Sequence, residues 1–465
     1  MHKLYYQPEG YWFGDCMPFY YEGKFYLFHQ RDARNPGPLP LCAPFGWDLV
    51  LTSDFVHYED KGEALKKGKD DAQDQFIYAG SVYEANGTFH AMYTGFNRDY
   101  PKYGKDSQVL MKATSTDLLN WEKTNEILVS PQEGYDPDDW RDPFVFWDDD
   151  SQEYIMILGA RKLQGNKVLT GCTVYFTSKD FDNWDFKGDL WAPNLYSMHE
   201  MPDMFKMGEY WYQLITEYSN ESKTIYRMSK SLDGPWVAPV DDAFDGRAYY
   251  AARSFSDGDK RYLFGWVATK ENEDDLGNWQ WGGTLVVHEV YQREDGSLGV
   301  KIPDSVYDAF DNKEKLNDEP IRLSTVDSSE EVHLAKDIGD FFKFEATIKF
   351  SPGTRSIGIR LFEDIDTGDA YEYMLNIGEN KLNFDRTPNQ PWNRYFDKGL
   401  ERLIQLKGNK EYNIQIIVDG TIATLYVDGV ALNVRMYSKP GSSLGIHVVD
   451  GDLEIKNTSI EKSLK

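Results

Sequence analysis

The feature that most restricts how this chain can fold is a hairpin that keeps returning. A strand, a tight turn and a second strand run from Pro18 to Phe28 about Gly23. The form recurs from Ser81 to Tyr93 about Asn86-Gly87 and from Phe144 to Leu158 about Asp148-Asp149-Asp150. It returns again from Met204 to Tyr212 about Gly208, and from Ser254 to Phe264 about Gly258. Asn-Gly and similar pairs between β-prone runs signal a hairpin because they accept the positive φ that a tight turn needs. Most copies are followed by a second signature of Ser or Thr, Asp and an aromatic. Examples are Thr52 to Tyr58, Thr114 to Trp121 and Ser178 to Trp184, with Ser231 to Trp236 a weaker copy. Repeats of roughly 50 to 65 residues, each worth about four strands, predict a β-propeller. Five copies predict five blades.

Segments Gly282 to Val290 and Asp295 to Val300 would close the last repeat, so the first domain is expected over 1–303. The polar residues 304–319 read as a linker. From 320 to 465 alternating strands take over, among them Phe342 to Phe350, Tyr412 to Val418 and Leu444 to Val449. They predict a β-sandwich whose role is structural packing against the propeller. The fold class expected is therefore all-β.

The repeat also points to a site. Eight residues before the turn positions Gly23, Gly87, Asp150, Gly208 and Gly258 stand Asp15, Ala79, Asp142, Glu200 and Tyr250. In a propeller these positions begin the innermost strands, beside the axis. Three are acids, and each is followed within three residues by Pro, as suits a strand entering from a loop. Glycosidic hydrolysis needs two carboxyl groups across the scissile bond, one of them protonated near neutrality. A third carboxylate can hold sugar hydroxyls, and Arg141 beside Asp142 would keep that group ionised. The aromatics Trp12, Trp47, Tyr78, Trp266, Trp279 and Trp281 are candidates to stack on sugar faces.

Composition narrows the partners. The formal charge is −27, and nucleic acid or an anionic membrane would require a basic footprint. No run of 18 apolar residues spans a membrane. Cys16, Cys42 and Cys172 sit at no metal-ligand spacing, so the set reads as free thiols in a reducing compartment. The first residues lack the apolar core of a signal peptide, and a cytoplasmic location is expected. The expected partner is a small carbohydrate, with no cofactor and no metal, and a homo-oligomer stays open.

At these residues the chain resembles glycoside hydrolase family 32, the invertase, inulinase and levanase family. Trp12 to Pro18 is similar to the family's nucleophile motif, with Trp12 and Asp15 kept. Gln30, the run Trp47 to Tyr58, and Tyr78-Ala79-Gly80-Ser81 resemble its next motifs. Arg141-Asp142-Pro143 is intact, and Glu200-Met201-Pro202-Asp203 resembles the acid/base motif. Gly265-Trp266 and Trp281 to Leu285 resemble the last-blade signature. The resemblance implies a five-bladed propeller with a C-terminal β-sandwich, and a retaining β-fructofuranosidase acting on a short fructoside or fructooligosaccharide. It makes Asp15 the nucleophile, Glu200 the acid/base and Asp142 the transition-state stabiliser. Trp12, Gln30, Tyr78 and Arg141 would hold the sugar, and Trp47, Ser81, Trp266 and Trp281 complete the substrate-binding set.

The sequence departs from the family at Gly14, at Cys16-Met17-Pro18, and at Leu49, Ala79 and Met201, removing hydrogen-bonding groups near the nucleophile. An altered subsite is therefore expected. Three other readings stay open at this point. They are a fructotransferase or difructose-anhydride enzyme, an arabinofuranosidase or xylosidase of the related family 43 type, and a non-catalytic carbohydrate-binding propeller.

Overall fold

The structure is a computed structural model that describes residues 2–39, 41–388 and 398–465. The first unit is an antiparallel meander of β1 (Trp12–Tyr21), β2 (Lys24–Asp32), β3 (Trp47–Thr52) and β4 (Glu59–Leu65). The pattern repeats in β5 (Phe76–Ala85), β6 (Thr88–Phe96), β7 (Gln108–Ser115) and β8 (Glu122–Val129). It returns in β9 (Tyr135–Asp148), β10 (Glu153–Lys162), β11 (Gly171–Ser178) and β12 (Asp185–Trp191). The next unit has β13 (His199–Met207), β14 (Tyr210–Glu217) and β15 (Thr224–Ser229), with only isolated bridges from Val237 and Ala243 at its outer edge. Then follow β16 (Tyr249–Ser256), β17 (Arg261–Lys270), β18 (Trp279–Gln292) and β19 (Leu298–Lys301).

Local chemistry explains both repeated signatures. Gly23, Gly87, Gly208 and Gly258 all take positive φ at the hairpin tips. In the Ser/Thr-Asp signature the hydroxyls of Thr52, Ser115 and Ser178 accept the N–H groups of Phe55, Leu118 and Phe181, each at 2.9 Å. Asp54, Asp117 and Asp180 then accept the next two N–H groups. These turns fix the link to the outermost strand by satisfying a reversal the ladder cannot. The aromatic after each Asp is packed or paired beneath its turn; Trp121 and Trp184 donate to the carbonyls of Leu118 and Phe181.

The innermost strands β1, β5, β9, β13 and β16 each touch the next, and β16 touches β1. Backbone pairing of Phe13 with Gly283 stitches the last unit to the first. The strands thus surround an axis.

Beyond Lys301 the expected linker is folded rather than free. Residues Asp304–Ala309 form α1, and Phe310–Asp311 (β20) and Glu314–Lys315 (β21) pair with the C-terminal strands β32 (Ser463–Leu464) and β31 (Ser443–Glu461). Phe310 supplies the reason: it is buried and stacks on Phe341 at 5.5 Å, which anchors an otherwise polar stretch. The second half is built from β22 (Ile321–Ala335), β23 (Phe341–Phe350), β24 (Ser356–Glu363), β25 (Ala370–Asn376), β26 (Lys381–Thr387), β27 (Glu401–Leu403), β28 (Glu411–Asp419), β29 (Ile422–Val427) and β30 (Val430–Arg435), with β31 pairing to β22, β23 and β24. Its inward residues, such as Ile357, Ile359, Leu361, Ile446 and Val448, are fully buried. The molecule is nearly all-β.

The two halves meet through buried polar groups. Asp245, from the first half, accepts from Asn433 N at 2.7 Å and Asn433 Nδ2 at 2.6 Å and lies 3.0 Å from His288 Nε2. Arg435 donates to the carbonyls of Val267 and Ala268. The N-terminal segment crosses over, since the Asp419 carboxylate accepts the N–H groups of Lys3, Leu4 and Tyr5. The boundary at 303 therefore misses an N-terminal strap on the second half. Because Asp245 serves several buried donors, Asp245→Ala should cost roughly 3 kcal/mol or more. The expected readout is a clearly lower urea midpoint, and an unchanged midpoint would show that the contact does not hold the halves together.

Candidate active site

Each innermost strand loses register at the position the repeat singles out. The breaks fall between Phe13 and Cys16, Tyr78 and Gly80, Arg141 and Phe144, Glu200 and Asp203, and Tyr250 and Arg253. A bulge frees a residue from the ladder and re-aims its side chain. Asp142, Met201 and Ala251 take φ of +65°, +49° and +53° there. For residues with a Cβ that conformation is strained, and it is held by the surrounding structure. At Asp142 the support is visible: its N–H donates to Thr94 Oγ1 at 3.0 Å, and Thr94 in turn donates to the Ala79 carbonyl.

The bulges bring the three acids together. Asp15 Oδ1 accepts from Trp266 Nε1 at 3.0 Å. With its amide oxygen toward the Ala79 N–H, Gln30 donates to Asp15 Oδ2 at 3.2 Å. Trp266 lies 5.1 Å, ring to ring, from Tyr250, whose hydroxyl donates to Glu200 Oε2. Glu200 Oε1 accepts from Arg141 Nη2 at 2.7 Å, and Arg141 also donates to Asp139. Asp142 Oδ2 accepts the N–H of Met201, the neighbour of Glu200, at 3.0 Å. The result is one continuous ring of contacts around Asp15, Asp142 and Glu200.

Crowding like charges has an electrostatic consequence. Burial first, then the charges of Asp142 and Glu200, push the Asp15 carboxyl well above the usual aspartate range, while Trp266 and Arg253 pull it back. Asp142 is raised chiefly by burial, against the pull of Arg141. Groups coupled this closely share protons.

Arg253, 1% exposed, lies beneath the acids and was not singled out from the sequence. Its guanidinium donates to the carbonyls of Gly80, Asp142 (3.2 Å) and Pro202 (3.0 Å). One side chain of β16 thus ties β5, β9 and β13 at the axis. Tyr250 was visible as the fifth repeat position, yet only the structure gives it a partner. Tyr218, half-exposed, is a further addition: the charge of Glu200 is the main cause of its raised hydroxyl pKa.

The aromatics divide into several roles. Trp281 stacks with Phe45 at 12° and meets Trp266 edge-on, and Tyr78 stacks on Phe96 at 4.5 Å. A Cβ placed on Gly14 would overlap the Trp281 ring, so the glycine and the indole occupy complementary space beside Asp15. Trp12 has the Arg34 guanidinium 3.9 Å from its ring, and Lys270 lies 4.7 Å from that of Trp279. Two further residues of the expected set lie within the packing. Trp47 is fully buried and donates to the Tyr78 carbonyl, and Ser81 is buried and accepts from Val145 N at 3.1 Å. Both brace neighbouring strands from within the packing.

Known proteins resemble this chain at low identity. Residues 5–298 match the Glycosyl hydrolases family 32 N-terminal domain. The levanase of Bacillus subtilis (strain 168) is 23% identical over 503 aligned positions, covering 98% of this chain and 69% of that protein. An Escherichia coli sucrose-6-phosphate hydrolase is 24% identical, covering 92% and 86% respectively. Among solved structures, sucrose-6-phosphate hydrolase from Lactobacillus gasseri superposes with a TM-score of 0.76 at 19% identity, covering 99% of this chain and 93% of that one. The exo-inulinase of Aspergillus awamori also gives 0.76, at 16% identity, covering 100% and 98%. With the family pattern spanning more than half of the sequence, the chain belongs to glycoside hydrolase family 32.

Proposed function

We propose that this glycoside hydrolase cleaves a β-fructofuranosyl linkage in a short fructoside or fructooligosaccharide, with retention, on a five-bladed propeller backed by a β-sandwich. The observation that carries the reading is the contact chain Asp15–Trp266–Tyr250–Glu200, which links two carboxyl groups through two aromatic side chains. The ring of innermost strands supports five blades. The fructoside preference rests on relatives named levanase and sucrose-6-phosphate hydrolase. Those relatives lend no support to the family 43, fructotransferase or non-catalytic readings. The three buried free thiols fit a reducing, cytoplasmic setting.

The mechanism follows from the site. Ionised Asp15 attacks the anomeric carbon while protonated Glu200 gives its proton to the departing glycosidic oxygen. The bond to the leaving group breaks as the ester to Asp15 forms. Glu200, now ionised, takes a proton from water, which attacks the same carbon and releases Asp15. Asp142 accepts from sugar hydroxyls through the oxygen that Met201 leaves free. Arg141 and Tyr250 stabilise the Glu200 carboxylate once its proton has gone.

Two measurements test this. NMR of the first product formed should show the β-anomer, and Glu200→Gln should lower kcat by about 10²- to 10⁴-fold. An inverted first product would remove the double displacement. The second measurement is the pH profile. Because Asp15 must be ionised to attack and its pKa is raised, kcat/KM should fall on acidification above the ordinary aspartate pKa of about 3.9. Arg253→Gln removes a cation that favours ionised Asp15, so the acidic limb should move to higher pH, and less so in Arg253→Lys. A lower melting temperature with an unmoved limb would leave Arg253 a purely structural tie.

A further inference from the structure

The C-terminal half, expected to serve only as packing, carries a polar cluster on the outer face of its sheet. In register, Glu331 of β22 faces His447 of β31, and His333 faces Gly445. Gly445 also faces Arg360 of β24, which is paired with Glu372 of β25. The alternate residues Ile359, Leu361, Ile446 and Val448 point into the core. A register break at Phe362, with φ of +54°, turns Glu363 back toward this outer face. Its carboxylate reaches the same Arg360 that pairs with Glu331.

The hydrogen bonds satisfy only half of this cluster. Arg360 Nη1 donates to Glu331 Oε2 at 2.8 Å and Glu363 Oε1 at 3.0 Å, and His447 is bonded to Glu372. The other oxygens, Glu331 Oε1 and Glu363 Oε2, are buried and accept no hydrogen bond from the protein. Glu363 is itself 3% exposed. Both oxygens converge above Gly445, where a Cβ would lie 2.8 and 3.1 Å from them. His333 Nδ1 stands 3.1 Å from Glu363 Oε2, and one ligand atom from each of Glu331, His333 and Glu363 lies within 4.8 Å of the others.

We propose that Glu331, His333 and Glu363 form a site for a divalent transition-metal ion of the zinc class. With its proton on Nε2, His333 Nδ1 sets a lone pair beside the two facing carboxylate oxygens, a donor set that suits a cation. Three carboxylates, Glu331, Glu363 and Glu372, face the single guanidinium of Arg360. Two carboxylates and one imidazole suit zinc, with water as the fourth ligand. Zinc–ligand distances of about 2.0–2.2 Å require the donors to draw closer together, which the half-exposed side chains of Glu331 and His333 can do. Gly445 keeps the space clear, since any side chain there would meet both carboxylates.

The test uses the full chain after chelator treatment, titrated with zinc alone by calorimetry and followed by thermal unfolding. One ion per chain should bind and raise the melting temperature. Glu363→Gln and His333→Ala should each weaken binding by about tenfold or more and abolish the thermal shift. His333 lies at the surface, so its variant keeps the test valid if Glu363→Gln folds poorly. Two results would overturn the proposal: no uptake, or uptake that neither variant weakens.

Discussion

Three carboxyl groups crowded beside one axis repel each other, and the rest of the first half is arranged to keep them there. Burial strengthens that repulsion, as the raised pKa values of Asp15 and Asp142 register. Bulges supply the geometry, because a regular ladder would send alternate side chains into the blade interior. Cations supply the electrostatics from two sides. Arg141 pairs with Glu200 within the site, while Arg253 approaches from beneath, its Nη1 and Nη2 donating to backbone carbonyls. A buried guanidinium bonded only to carbonyls would be costly in isolation. Next to Asp15, Asp142 and Asp203 its charge is offset at a distance, and it doubles as a tie across four innermost strands.

The departures around the nucleophile are interlocked. Gly14 leaves room that the Trp281 ring fills, and Trp281 continues into Phe45 and Trp266. A hydrogen-bonding side chain at position 14 would displace the indole, so the glycine and the tryptophan act as a pair. The flank of Asp15 is accordingly apolar on one side and polar on the other, where Gln30 links it to the Ala79 backbone. Such a wall favours apolar sugar faces over hydroxyls on that side.

Much of this was legible in the sequence, for a physical reason. Hairpin turns and Ser/Thr-Asp clamps are local, so their residues announce themselves, and counting from them found Asp15, Asp142 and Glu200. Arg253 was not legible: its partners are carbonyls on three other strands, and carbonyls leave no mark on a sequence. The bonds by which Trp47 and Ser81 brace neighbouring strands were equally invisible, because their partners are backbone groups of β5 and β9. The folded connector at 304–319 was missed because one buried Phe310 anchors an otherwise polar stretch. The cluster at Glu331, His333 and Glu363 escaped because it is assembled from β22 and from a break in β24, with no repeat to reveal it.

The central claim is that these bulges aim Asp15 at the carbon being transferred while Glu200 serves the departing oxygen. Rapidly quenched turnover of the Glu200→Gln protein on a fructoside with an activated leaving group, followed by peptide mass spectrometry, tests it most directly. The account predicts one glycosyl unit esterified to the peptide containing Asp15, because slow water attack lets the ester accumulate. A glycosyl adduct on Asp142 or residue 200, or continued turnover by an Asp15→Asn protein, would contradict it.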